Sequence, residues 1–118
     1  MSESSSFFIR QRVVRGCPLI EISGTIDQGG GNGLCAAAVE AAGRALVVVV
    51  DASEVSRVDA EGLRYLVRAA LLVEQLGGQL RLVAGPAVQQ AREIGMIRRL
   101  RCYSCPEEAV APPLAPVA

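Results

Sequence analysis

Histidine, lysine and tryptophan are absent from this chain of 118 residues. Without histidine or lysine it lacks the commonest general base, the amine of Schiff-base catalysis and the amine of a phosphate-binding loop. Most enzyme classes lose their usual equipment, and the expectation is a protein that is not an enzyme. Two Phe and two Tyr are the only aromatics, too few for a base-stacking platform. The core has to be aliphatic. With no lysine, all twelve positive charges are arginine, and twelve acidic residues cancel them. A net charge of zero gives no broad field for nucleic acid, so no nucleic-acid partner is expected. The N-terminus has no basic-then-apolar secretory pattern, and the apolar run Ala45 to Val50 is far short of the roughly 20 residues that cross a bilayer. A cytoplasmic chain without membrane insertion is expected. Cys17, Cys35, Cys102 and Cys105 lack the paired spacing of a zinc site and suit a reduced compartment, with no metal and no cofactor.

What is present is a globular composition, 51% hydrophobic and 20% charged, of a length that holds one domain. Residues 1–110 are read as that domain and 111–118 as a disordered tail. Phe7 to Val14 and Leu19 to Ser23 read as an antiparallel pair joined at Arg15-Gly16-Cys17-Pro18, which carries turn chemistry. Gly24-Thr25-Ile26-Asp27 follows, then Gln28-Gly29-Gly30-Gly31-Asn32-Gly33 as a flexible loop, and a helix from Leu34 to Arg44 rich in alanine. Ala45 to Val50, ended by Asp51, reads as a central strand buried on both faces.

Leu63, Leu66, Val67, Ala70 and Leu71 recur at helical spacing, after Asp59 as N-cap and before Gly77-Gly78 as a stop. Gln79 to Ala84 is a further strand, and Gly85-Pro86 precedes a short helix from Ala87 to Ile94. Met96 to Tyr103 reads as a return to an edge strand, and Pro106 suits the first turn of a last helix that Pro112 ends. Strands alternating with helices predict an α/β fold with a mainly parallel sheet and functional loops at the carboxyl ends of its strands.

The order of several short segments resembles the STAS domain (sulfate transporter and anti-sigma factor antagonist). They are Gly24-Thr25-Ile26-Asp27, then Val47-Val48-Val49-Val50-Asp51, then Val55-Ser56-Arg57-Val58-Asp59-Ala60-Glu61-Gly62-Leu63. Gly77-Gly78, Gly95-Met96 and Ser104-Cys105-Pro106-Glu107-Glu108-Ala109 continue the likeness, which covers residues 7–110. It implies a four- or five-stranded mixed sheet with about four helices mostly on one face. It also implies a bacterial partner-switching function in transcription regulation, in which the domain binds an anti-sigma factor that is also a serine kinase. In such antagonists the kinase phosphorylates a Ser or Thr directly after the Asp that starts the key helix. Here that position is Ala60, which has no hydroxyl to phosphorylate. Asp27, Ser56, Asp59, Ala60, Glu61, Gly62 and Leu63 are the expected docking residues, always in the equivalent of the dephosphorylated state.

Alternatives accompany this reading. Ser53 or Ser56 upstream would be substitute acceptors if the loop re-aimed them, and Glu61 is either a phosphate mimic or, as favoured, an ordinary first-turn acid. A metal pocket of Asp27, Asp51 and Asp59 would need the lysine that receiver domains carry. The glycine run as a phosphate cradle lacks a P-loop lysine, so flexibility near the docking surface is preferred. Cys102-Tyr103-Ser104-Cys105 is read as structural rather than redox-active. Tyr65, Ala69, Leu72 and Val73 lie off the apolar stripe, where a neighbouring helix, a partner or a second copy in a homodimer would cover them. Outside the regulatory class, the alternatives are a STAS subunit contacting the ATPase of an ABC-type lipid-transport complex, and a nucleotide-binding domain.

Overall fold

Two residues with positive φ, Arg15 at 51° and Gly16 at 78°, turn the chain back on itself between β1 (Phe7–Val14) and β2 (Cys17–Ile26). Both central positions on the left-handed side match the right-handed twist of the flanking strands. The pair is antiparallel, as expected, with Phe7 opposite Gly24 and Val14 opposite Cys17. The structure, a computed structural model, is described over residues 7–26, 28–58, 60–93, 101–103 and 105–110. Among them follow α1 (Gln28–Ala42), β3 (Val47–Val58), α2 (Ala60–Gln75), β4 (Gln79–Ala84), α3 (Pro86–Glu93), β5 (Arg101–Tyr103) and α4 (Pro106–Ala109).

The sheet order is β1-β2-β3-β4-β5, with β2 to β5 mutually parallel. The resemblance implied a mixed α/β sheet of four or five strands; the sheet has five, with β3 at its centre. Alternation sends Ile20, Ile22, Val48, Val50, Leu80 and Leu82 into a large front core, and Leu19, Val49 and Val83 into a small back cluster. The front core is closed by α1 and α2 with Val88 of α3. The back cluster is closed by Ala109 and Val110 at the end of α4.

The structure corrects two element boundaries and one buried face. The glycine run is not a loop but the first turns of α1. Its glycines admit aromatic rings: a Cβ on Gly30 would sit 2.6 Å from the Phe7 ring, and one on Gly31 would collide with the Tyr65 ring. The helix therefore forms despite poor propensity, because close packing on β1 and α2 offsets the cost.

The second correction concerns β3, which does not stop at Asp51 but continues to Val58. Two register shifts against β2, between Glu21 and Ser23 and between Gly24 and Thr25, break the period-2 pattern there. A strand carrying such bulges reads as a loop in sequence.

Third, the buried stripe of α2 is Gly62, Leu63, Leu66, Ala69, Ala70 and Val73, rotated from the one expected. Leu71 is 36% exposed, whereas Tyr65, Ala69, Leu72 and Val73 join the front core. The covering neighbour is α1, where Cys35 Sγ donates to the Tyr65 carbonyl at 3.7 Å.

The hairpin turn is also shorter than expected, because Cys17 and Pro18 of β2 already pair with Val14 and Val13; other described boundaries agree closely. Gly77 takes φ 87°, and the Gly78 amide reaches back to the Val73 carbonyl at 3.0 Å, the paired cap that ends α2. Pro106 stands in the first turn of α4 after an extended Cys105. Asp27, Asp59, residues 94–100 with Gly95 and Met96, Ser104, and the tail 111–118 with Pro112 lie outside the described residues.

Candidate functional site

β2 and β3 end in register, with Thr25 beside Arg57 and Ile26 beside Val58. The chain leaves both strands at one edge of the sheet, where α1 and α2 begin. β2 and α2 approach closely at Gly62, where an added Cβ would lie 2.9 Å from the Ile26 carbonyl oxygen. Any side chain at that position would push α2 away from β2. The first turn of α2 is thus fixed against the carboxyl end of β2.

Of the residues singled out in the sequence, Ala60, Glu61, Gly62 and Leu63 come together in that first turn. Ala60 and Glu61 are exposed, while Gly62 and Leu63 are buried. Leu63 anchors the turn in the front core. Arg64 Nη1 approaches the Glu61 carboxylate at 3.7 Å, an exposed i, i+3 pair of small energetic weight. Ala60, Leu63, Arg64 and Val67 line an open depression of about 300 Å³ on the outer side of α2. Asp27 and Asp59, expected beside it, lie outside the described residues.

Ser56 is exposed near the end of β3, at the second register shift. Ser53 is placed differently: its amide and its hydroxyl both donate to Asp51 Oδ1, at 3.0 and 2.6 Å. Asp51 therefore bonds nearby backbone, and it does so from within β3 rather than at its end. It sits beside Glu21 of β2, seven residues before the end of β3 at Val58. Among the described residues no group of His, Cys, Asp and Glu is arranged to hold a metal ion.

The back face carries features that the sequence did not announce. Arg81, 4% exposed, donates from Nη1 to the Ala109 carbonyl at 2.8 Å and from Nε to Gln79 Oε1 at 2.7 Å. Its guanidinium carbon lies 5.7 Å from the Tyr103 ring centre, within cation–π range. A charged residue alternating with Leu80 and Leu82 gives no signal in sequence that it is a buried clasp for α4. Cys17 and Cys35 are thiols whose pKa is raised above the usual value by burial, opposed by Arg81 for Cys17 and by Arg68 for Cys35. All four cysteines are unpaired with one another. Among the described residues no helix is long and apolar enough to cross a membrane.

Comparison with known proteins agrees with this architecture. The family model described as "Mlab, STAS domain" matches residues 9–97. An anti-sigma factor antagonist from Mycobacterium paratuberculosis superposes with a TM-score of 0.75 at 23% identity, covering 92% of this chain and 95% of that one. The unphosphorylated anti-sigma factor antagonist SpoIIAA gives 0.62 at 18% identity, with 87% and 92% covered. The Bacillus cell fate determinant SpoIIAA in its phosphorylated form gives 0.62 at 18%, with 89% and 96% covered. These likenesses concern the fold. No curated protein matches the sequence.

Proposed function

From the premise that the chain belongs to the STAS domain family described as Mlab, we propose that it is a non-enzymatic interaction module that binds an anti-sigma factor of the serine-kinase type. The docking face is the edge formed by Ser56, Ala60, Glu61, Gly62 and Leu63, together with Asp27 and Asp59. The observation that carries this reading is an exposed methyl, that of Ala60, at the first position of a helix. A phosphate at that place would put close to two negative charges on a surface that a partner must cover. Alanine cannot take it, so the surface keeps one charge state and binding is constitutive.

Supporting features lie around it. The Leu63–Val67 depression offers apolar contact beside Ala60, and the Ile26–Gly62 contact holds the turn rigid, which lowers the entropic cost of docking. Glu61 has Arg64 one turn on, an arrangement that suits an ordinary first-turn acid. Ser53 is engaged with Asp51, which leaves Ser56 as the exposed hydroxyl nearest the turn.

Calorimetry of the purified chain with serine-kinase anti-sigma factors encoded beside its gene tests the reading. The wild type is expected to bind with or without ATP and to take up no phosphate. Ala60→Ser is expected to become phosphorylated and then release. Ala60→Asp is expected to weaken binding by about tenfold or more, the scale of a like charge placed in an interface. Unchanged binding by Ala60→Asp, or phosphate on the wild-type Ser56, defeats it. Co-purification with the ATPase of a lipid-transport complex instead of a kinase would transfer the same face to the alternative reading. Saturable binding of ATP or GTP by the chain alone would favour the nucleotide-binding one.

A further inference from the structure

The back of the sheet holds a cavity of about 360 Å³ lined by Phe8, Arg10, Glu21, Ser23, Asp51 and Glu54. The first register shift in β3 adds Glu54 to the Glu21 and Asp51 already there. Glu21 stands beside Asp51, yet the next pair is Ser23 beside Glu54, so β3 advances three residues while β2 advances two. The extra residue turns Glu54 to the same side as Asp51 and sends Val55 into the front core. Asp51 holds the distortion by accepting from the Ser53 amide and hydroxyl. Bulges of this kind re-aim side chains next to functional sites.

The charges do not balance within the cavity wall. Arg10 and Arg12 both converge on Glu21, each at 3.1 Å. Asp51 is 8% exposed, and both of its hydrogen bonds fall on Oδ1. Oδ2 therefore has no partner among the described residues, in a side chain that belongs to the cavity lining, and a carboxylate oxygen so buried is costly to leave unpaired. Glu54 is exposed and likewise has no ion-pair partner among them. Phe8, 66% exposed, is the aromatic residue of the lining. Two carboxylates beside an aromatic face are the complement of an organic cation.

We infer that this cavity is a binding site for a guanidinium group, which would donate to Asp51 Oδ2 and Glu54 and lie against the Phe8 ring. A planar fork suits the two acceptors and the ring together, where a compact ammonium would leave one of them unmet. The site lies on the face opposite α2 and does not depend on the docking function assigned to that helix.

Amide and side-chain NMR shifts of the full chain, titrated separately with agmatine and with the capped peptide Gly-Arg-Gly, test the assignment. Both probes are expected to give saturable shifts at Phe8, Ser23, Asp51 and Glu54, and the matching citrulline peptide none. Glu54→Gln and Phe8→Ala, both at exposed positions, are expected to weaken binding by about tenfold, the scale of one charge-assisted contact, with unchanged thermal melting. Tighter binding of the peptide identifies a protein-borne arginine as the source, and tighter binding of agmatine identifies a free metabolite. The site is refuted if the citrulline peptide or inorganic phosphate gives the same shifts, if both variants bind like wild type, or if no probe saturates.

Discussion

The two faces of the sheet solve burial in opposite ways. In front, three helices cover a dry aliphatic core in which Leu66, Val50 and Leu82 are fully enclosed. Behind, among the described residues, the four-residue α4 covers the Leu19–Val49–Val83 end, while arginines, carboxylates and a cavity occupy the rest. The front face therefore provides most of the stability, and the back face is left free for polar chemistry. Hydrophobic stabilisation scales with the area removed from water, which concentrates it where helices lie flat on the sheet.

Breaking the front should cost most. Leu66→Ala is expected to lower stability by about 2–5 kcal/mol, the range for emptying a packed core site. Leu71→Ala, one helical step away but partly exposed, should change it by less than about 1 kcal/mol. Urea unfolding followed by circular dichroism measures both, and equal losses would contradict the rotated stripe of α2.

The clasp behind comes next. Arg81→Ala should cost about 1.5–3 kcal/mol, because a buried carbonyl loses a charged donor. The loss should appear locally, as faster amide exchange at Ala109 and Val110 with protection in α2 unchanged. Uniformly faster exchange would show that the two faces are one cooperative unit.

Gly31→Ala sharpens the comparison at the seam between α1 and α2. The new methyl meets the Tyr65 ring, and a loss of about 1–3 kcal/mol is expected from overpacking. Gly33→Ala, whose methyl would stand 3.3 Å from Ile9 Cδ1, should be nearly neutral, because helix propensity offsets the mild contact. The difference in melting temperature between the two variants reads the seam directly.

The smallest effect separates the faces by pH. Burial raises the pKa of Cys35 in front and Cys17 behind. A thiol whose folded pKa lies above its unfolded value stabilises fully below the unfolded value and loses that contribution as pH rises through the folded one. Stability should therefore be flat near neutrality and fall above about pH 9, the ordinary thiol value. Cys35→Ala or Cys17→Ala should each shallow the decline, and an unchanged alkaline slope in both would exclude the thiols as its cause.

Much of this fold was legible because its signals are local. The valine run marked the central strand, Arg15-Gly16 the hairpin, Gly77-Gly78 the end of α2, and Pro106 the start of α4. Around the candidate site, the place of Ala60 at the start of a helix was legible from the pattern that follows it. The errors all fell where distant elements overrule local preference. Five residues from Gly29 to Gly33 read as a loop until Phe7 and Tyr65 are seen to need the space. Asp51-Ala52-Ser53-Glu54 reads as a strand ending until β2 is seen to pair beyond it.

The sequence by itself determined the element order, the aliphatic core, the missing hydroxyl at Ala60 and the want of ordinary catalytic bases, because each of these is a property of residue type or of near-neighbour spacing. Tertiary structure alone decided which side of α2 is buried, that the glycine run is helical, that Arg81 clasps α4, and that Asp51 and Glu54 share one cavity. Those outcomes depend on which surfaces meet across the chain, and pairing between strands and helices far apart in sequence leaves no periodic trace in either partner.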